Sequence, residues 1–453
     1  MQVLWFDAAL LPGGWARDVR IAVDEGRIAA IDAGEPPRAG DERGGAAVAG
    51  LCNVHSHAFQ RGMAGLAETR GPAHDDFWTW REVMYRFLGR LEPQDVRTIA
   101  SLAYIEMLES GFTRVGEFHY LHNDPTGAPY ADPAEMAESI AAAAGETRIG
   151  LTLLPVFYAH GGFGGAAPTA GQRRFISDLD GFAELFAGAR RAVAGLPDAV
   201  LGVAPHSLRA VTAAELTAVT TLCAGGPVHI HAAEQVLEVE DCVAWSGRRP
   251  VEWLLENAAI DDRWCLIHAT HLTGAETGAL AASGAVAGLC PITEANLGDG
   301  VFPARAYIDA GGRFGIGTDS NVLIDAAGEL RAIEYVQRVT RRSRGVLATG
   351  EGASVGRTLF DGSSSGGARA LGAGEAGFRP GAPADIVSLD LAHPSLAGRT
   401  GDALLDGWIF AAGGGAVEAV WRGGRKVVAA GRHVSRDAIA ESYRRLMIDI
   451  LGT

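Results

Sequence analysis

Leu51-Cys52-Asn53-Val54-His55-Ser56-His57-Ala58-Phe59-Gln60-Arg61 is the stretch whose reading decides the fold. An apolar lead-in ends in two histidines separated by one residue. Side chains alternate along a β-strand, so His55 and His57 project to the same face. Two imidazoles on one face, at the end of a strand, can reach a single ion. Standing alone, such a pair is weak evidence for a metal. The rest of the chain supplies the company it needs.

Outward from this stretch, short apolar strands alternate with longer helical segments. Eight strands are expected, at 51–57, 113–119, 149–157, 200–207, 227–234, 264–270, 284–291 and 313–320. Amphipathic segments such as 93–110, 177–194 and 248–257 lie between them. Near-continuous apolar strands separated by helices are the pattern of an α/β protein with a (β/α)8 TIM-like barrel, whose strands are buried on both sides. The barrel is assigned to 48–375. Residues 1–47 and 376–453 are assigned to one small β-sandwich domain built from both chain ends. Its strands are read at 19–23, 27–31 (after the turn Asp24-Glu25-Gly26), 381–389, 416–422 and 426–428, with a closing helix at 436–450. A further helical pattern covers 329–344.

Two insertions are long, 64–91 after the first strand and 159–174 after the third. The second contains His160-Gly161-Gly162-Phe163-Gly164-Gly165, read as a mobile loop suited to a lid. It lacks both the P-loop Lys-Ser/Thr and the GxGxxG context, so it is not read as a phosphate cradle.

The balance of 39 basic and 54 acidic residues leaves a formal charge of −15 among 453 residues. Such a field argues against nucleic acid and anionic membrane surfaces as partners. An anionic substrate would need local arginines. Hydrophobic content of 48% describes a soluble globular protein with a sizeable core. Five dispersed cysteines without a C-x-x-C pair fit a reduced, cytoplasmic protein. No signal peptide is read at the N-terminus, and no apolar run approaches the roughly 18–20 residues of a membrane helix.

The chemistry sits at strand ends. The fifth strand reads Val228-His229-Ile230-His231-Ala232-Ala233-Glu234, the sixth ends in His268, and the eighth ends in Gly317-Thr318-Asp319-Ser320. A catalytic zinc takes three or four N/O ligands and keeps a position open for water. His55, His57, His231 and Asp319 all fall at the C-terminal rim of the barrel, where they can converge on one divalent ion. Glu234 and His268 would then flank a metal-activated water as an acid/base pair. Iron or another divalent ion would also suit these ligands.

With those residues in place the chain resembles the amidohydrolase superfamily, over its whole length. The H-x-H after the first strand, the H-x-x-E of the fifth, the His of the sixth and the Asp of the eighth carry the likeness. No strand offers the bridging lysine of the dinuclear members, and the fourth supplies Pro205-His206-Ser207 instead. The pattern is similar to the mononuclear deaminase branch. There the glutamate shuttles protons and the sixth-strand histidine polarises the attacking water, which the resemblance assigns to Glu234 and His268. More narrowly, residues 53–68, Glu117-Phe118-His119-Tyr120 and His206-Ser207-Leu208-Arg209 resemble the formimidoylglutamate deiminases of histidine degradation. That resemblance implies zinc-dependent hydrolysis of N-formimidoyl-L-glutamate to N-formyl-L-glutamate and ammonia.

A small dianionic substrate calls for cationic forks and hydroxyl donors, and Arg209, Arg81, Tyr120, Gln60 and His206 are the candidates. A homodimer is expected from the superfamily. The rival readings are a deaminase of a cyclic amidine such as guanine or a pterin, and a catalytically inactive binding protein. The remaining aromatic and histidine residues are given blander places. His229 is read as packed interior. His119 and His271 lie near the mouth without an assigned contact. His74, His122, His393 and His433 are read as surface or loop residues, and Trp78 and Trp80 as packing of the first insertion. The stretch 293–299 is read either as pocket floor or as ordinary turn.

Overall fold

The computed structural model describes residues 2–71 and 75–452. His74 lies outside them. The barrel strands are, in order, Leu51–Ser56, Phe112–His119, Gly150–Phe157, the split pair Val200–Leu201 and Ala204–Pro205, Val228–Ala232, Trp264–His268, Val286–Leu289 and Arg313–Ile316. Neighbours pair in parallel. Every residue of the first, second, third, fifth, sixth and seventh strands is buried. Burial on both faces is what their unbroken apolar runs require.

The ring closes where strands one and eight, and four and five, come together. The Asp319 amide donates to the His55 carbonyl at 2.9 Å, and the His57 amide donates to Asp319 O at 2.9 Å. Gly317 permits this approach: a Cβ there would sit 2.8 Å from His55 N and 2.8 Å from His55 O. On the other side the Val203 amide donates to Pro227 O at 3.0 Å, and the His231 amide to His206 O at 3.0 Å. The fourth strand is shorter than the continuous segment expected at 200–207. Its break falls at Gly202, where a Cβ would meet Pro227 O at 2.7 Å.

Residues from both chain ends form one eight-stranded sheet. Its order is Arg432–His433, Arg425–Ala429, Val417–Arg422, Ile386–Leu389, Glu42–Ala49, Gln2–Leu11, Gly14–Asp24, Arg27–Asp32. Period-two alternation splits it between two cores. Ala46, Val48, Val387 and Leu389 join the large barrel core, while Leu4, Phe6, Ala47, Ile386 and Trp421 make a second, smaller one. The helix Pro93–Ser110 starts on proline and stops at Gly111, whose φ of 109° ends it. It packs between the barrel and the C-terminal helix Arg436–Leu451 through Leu102, Ile105 and Ile439.

Several expectations need correction. His122 does lie in a loop, but it and His433, which is in a strand, are buried, at 3% and 4% exposure. Each donates a ring N–H to a backbone carbonyl, His122 to Val156 O at 2.8 Å and His433 to Thr147 O at 3.1 Å. A satisfied imidazole can be buried at little cost, and sequence does not reveal the carbonyl. His393 is partly exposed. Residues 293–299 are mostly helical, within Pro291–Leu297. In the Gly-rich loop Phe163 stacks on Trp245 at 5.5 Å, and His160 pairs with Glu215 at 2.9 Å; these contacts do not bear on the mobility expected of it. Among the described residues, no helix is long and apolar enough to cross a membrane.

Candidate active site and metal centre

His55, His57, His231 and Asp319 converge at the C-terminal mouth of the barrel, all buried, with one ligand atom of each within 4.8 Å of the others. His55 Nε2 lies 3.2 Å from His57 Nε2 and 3.0 Å from His231 Nε2. Asp319 Oδ1 is 3.4 Å from His55 Nε2 and 3.3 Å from His57 Nε2. Donors bound to one ion at about 2.0–2.2 Å stand roughly 3.3 Å apart in a tetrahedral shell, so the spacing fits such a cage.

Tautomers agree with that. His57 Nδ1–H donates to Phe118 O at 2.8 Å and His231 Nδ1–H to His206 O at 3.0 Å, which turns both Nε2 lone pairs inward. Burial pushes the His55 imidazolium down to about 3, with His57 adding to the effect, and also lowers His57 and His231. Burial opposes ionisation of Asp319, yet the imidazoles of His55, His57 and His268 hold its carboxyl well below the usual range. Neutral nitrogens around one carboxylate are the donor set a divalent cation needs.

Beside the cage stand Glu234 and His268. Burial raises the Glu234 carboxyl to about 7. For His268 burial works the other way, but Glu234, Glu294 and Asp319 raise it to about 10. His268 Nε2 lies 3.7 Å from Glu234 Oε1 and 3.8 Å from Asp319 Oδ2, and no described residue hydrogen-bonds it. Its Nδ1 faces Glu294 Oε1 at 3.3 Å. Glu294 was not assigned from sequence, although it sits in the 293–299 stretch singled out there. The backbone around these residues is tightly turned: Ala233, His268, Ala269, Asp319 and Asn321 all have positive φ, between 45° and 67°. Such conformations cost about 1–3 kcal/mol each and persist where surroundings enforce them. Here Glu238 accepts from the Glu234 amide at 3.0 Å, and the Asn321 side chain donates to Ser56 Oγ, His57 O and Asp319 O, each at 3.1 Å.

A narrow cavity, partly open to solvent, lies over the cage. All five residues expected to hold substrate line it: Gln60, Arg81, Tyr120, His206 and Arg209. Gln60 Nε2 donates to Tyr120 OH at 2.7 Å. Arg81 stacks on Trp78 at 4.5 Å, and Arg209 lies over Trp78 at 5.7 Å and Phe77 at 6.0 Å. Trp78 therefore packs against the arginines, whereas Trp80, read as packing, lines the cavity. Tyr158, Tyr85 and Phe175 also form its walls and carried no recognisable signal in the sequence, whereas Leu297, another wall residue, belongs to the 293–299 stretch read as possible pocket floor. His229 is interior, donating to Ala370 O at 2.8 Å. His119 and His271 are not among the lining residues, and His271 is occupied by Asp299 O at 2.9 Å.

An eight-stranded barrel with an H-x-H, an H-x-x-E and an aspartate around one buried cage defines a metal-assisted hydrolase. Residues 46–427 match the family described as Amidohydrolase family, and the chain belongs to it. Residues 1–45 match a second description, Formimidoylglutamate deiminase HutF, N-terminal domain. Over 455 aligned residues, the whole of both chains, it is 49% identical to a formimidoylglutamate deiminase from Pseudomonas aeruginosa. A crystal structure of an amidohydrolase from Brucella melitensis is 55% identical, covers 100% of both chains and superposes with a TM-score of 0.97. A 5-methylthioadenosine/S-adenosylhomocysteine deaminase from Natronomonas pharaonis is 29% identical, over 84% of this chain and 81% of its own.

Proposed function

We propose that this enzyme hydrolyses N-formimidoyl-L-glutamate to N-formyl-L-glutamate and ammonia, a step of histidine catabolism. One divalent ion, zinc, would be held by His55, His57, His231 and Asp319, and when bound would supply an activated water. The observation that carries the reading is a set of buried polar atoms around the cavity that have no partner among the described residues: Gln60 Oε1, Arg81 Nε, Arg209 Nε and His268 Nε2. Buried groups are ordinarily satisfied, so atoms left open in one cavity point to a ligand that satisfies them. Two guanidinium groups suit two carboxylates.

The steps follow from the chain's own groups. Arg81, Arg209 and Tyr120 bind the glutamate carboxylates and so aim the formimidoyl carbon at the cage. Glu234, poised near neutrality by burial, takes a proton from the attacking water as its oxygen bonds to that carbon. His268, charged and facing both Glu234 and Asp319, donates to the same oxygen and stabilises its negative charge. Glu234 then passes that proton to the amidine nitrogen, takes the second proton from the added oxygen and delivers it to the same nitrogen, so that the C–N bond breaks, ammonia leaves and the oxygen becomes the formyl carbonyl.

A cyclic amidine would place a neutral ring against Arg81 and Arg209 and offer neither guanidinium a carboxylate. The same proposal sets the enzyme in the cytoplasm, supported by five cysteines that are all free and buried, and as a homodimer, on family resemblance alone. Product analysis tests it. N-Formylglutamate and ammonia in equal amounts, with guanine untouched, are the expected result, and full activity in Arg209→Ala would contradict the dicarboxylate assignment.

A further inference from the structure

Tyr158 follows the third barrel strand, and its ring packs against His206 at 4.4 Å and Phe175 at 5.7 Å in the cavity wall. Its hydroxyl is 2.7 Å from Nε2 of Gln172, a residue only 1% exposed in the 159–174 insertion. A tyrosine hydroxyl and an amide can each donate or accept, so the contact alone does not set the direction. The other end of the amide does. Gln172 Oε1 lies 2.7 Å from the backbone N of Thr169 and 3.1 Å from Thr169 Oγ1. A backbone N–H can only donate, so that amide atom must be the oxygen, and the atom facing Tyr158 must be the NH2. Gln172 therefore donates to Tyr158. The tyrosine's own proton remains free, and no described residue accepts it.

In the lining of the same cavity is a guanidinium with an open donor. Arg209 is buried, its Nε has no partner among the described residues, and Arg209 and Tyr158 line one cavity. Arg209 alone presents a cation to any anion. Arg209 with a free hydroxyl proton in the same cavity presents two donors of different origin, which a carboxylate can take on its two oxygens. We propose that Tyr158, fixed as a donor by Gln172, is a specificity-determining residue that binds the same substrate carboxylate as Arg209. Gln172 is a positioning residue, acting through the tyrosine and touching no substrate. The 159–174 insertion then has a function beyond covering the cavity: it sets the polarity of one wall. This inference rests on the dicarboxylate reading above.

Wild type, Tyr158→Phe, Gln172→Glu and the double variant are compared in two assays: turnover of N-formimidoyl-L-glutamate, and calorimetric binding of glutarate, a dicarboxylate with no reacting group. Loss of one hydrogen bond to a charged group predicts that Tyr158→Phe raises KM and the glutarate Kd about tenfold, with kcat within about twofold. A carboxylate at position 172 would still accept from the Thr169 amide but would also capture the tyrosine proton. Gln172→Glu is therefore expected to raise KM in the wild-type background and to add little in the Tyr158→Phe background. Unchanged KM and glutarate binding in Tyr158→Phe would overturn the inference. So would a Gln172→Glu penalty equal in both backgrounds, since charge alone would explain it. If wild type releases no ammonia from the substrate, the functional reading fails, while the glutarate titration still decides the role of Tyr158.

Discussion

Glu234 shows how one side chain acquires a role from its surroundings. A carboxyl in water would be ionised and indifferent at neutral pH, but burial raises this one to about 7. Arg209 Nη2 at 3.8 Å and His268 Nε2 at 3.7 Å favour its charged form, so the group sits where it can both take and return a proton. Glu234→Gln keeps the shape and removes the base. It is expected to lower kcat by about 10²–10⁴-fold while leaving metal content near that of wild type, measured together by kinetics and elemental analysis. Arg209→Ala should act differently. On the proposed reading its guanidinium binds a substrate carboxylate away from the reacting carbon, so a rise in KM for N-formimidoyl-L-glutamate should exceed any fall in kcat. The reverse pattern would place Arg209 in the chemistry instead of in binding.

Between strands one and eight the cage depends on a buried polar clasp. Asn53 Nδ2 donates to Thr318 Oγ1 at 2.6 Å, Thr318 Oγ1 donates to Asn321 Oδ1 at 2.6 Å, and the Asn321 amide ties Ser56, His57 and Asp319 together. Three of the four cage residues lie on these two strand ends. Outer groups of this kind typically hold metal affinity by about 10–100-fold, so Asn321→Ala should weaken the ion by that order in a chelator competition. An unchanged affinity would mean that strand pairing alone orients the ligands. Asn321 was not legible in the sequence, and the reason is physical. His55, His57 and Asp319 announce themselves because imidazole and carboxylate at strand ends have few structural uses, whereas an asparagine beyond a strand reads as an ordinary turn residue. The strands were legible for a related reason, since unbroken apolar runs have no home but a doubly covered sheet. The break at Gly202 was hidden, because a close backbone approach leaves no mark in hydrophobic pattern. Glu294 was hidden as well. Its partner, His268, is 26 residues away, and only the folded chain brings them to 3.3 Å.

At the scale of the whole molecule, the sheet from the chain ends is fastened to the opposite face of the barrel from the cage. Arg422 reaches Asp198 at 2.9 Å and Asp385, and Arg114 meets Asp198 at 2.6 Å; the Arg422 side chain is only 8% exposed. Removing one partner strands the other charges in a poor solvent. Arg422→Met is expected to destabilise the fold by about 3–5 kcal/mol in denaturant unfolding, with the metal site intact in the protein that remains folded. A loss under about 1 kcal/mol would mean that the pair is effectively solvated. The net charge of −15 sets the other global condition. It disfavours an anionic substrate at long range, so Arg81 and Arg209 must offset it locally, and added salt should affect Arg209→Ala less than wild type. The central claim is that the cage and its cavity form a metal-dependent formimidoylglutamate deiminase. Its most direct test is ammonia release from N-formimidoyl-L-glutamate by protein of known metal content, before stripping, after stripping and after zinc return. Activity that disappears and returns with about one equivalent of zinc per chain, with N-formylglutamate as the second product, is the predicted result. Full turnover by the stripped protein, or no turnover by the reloaded one, would contradict it.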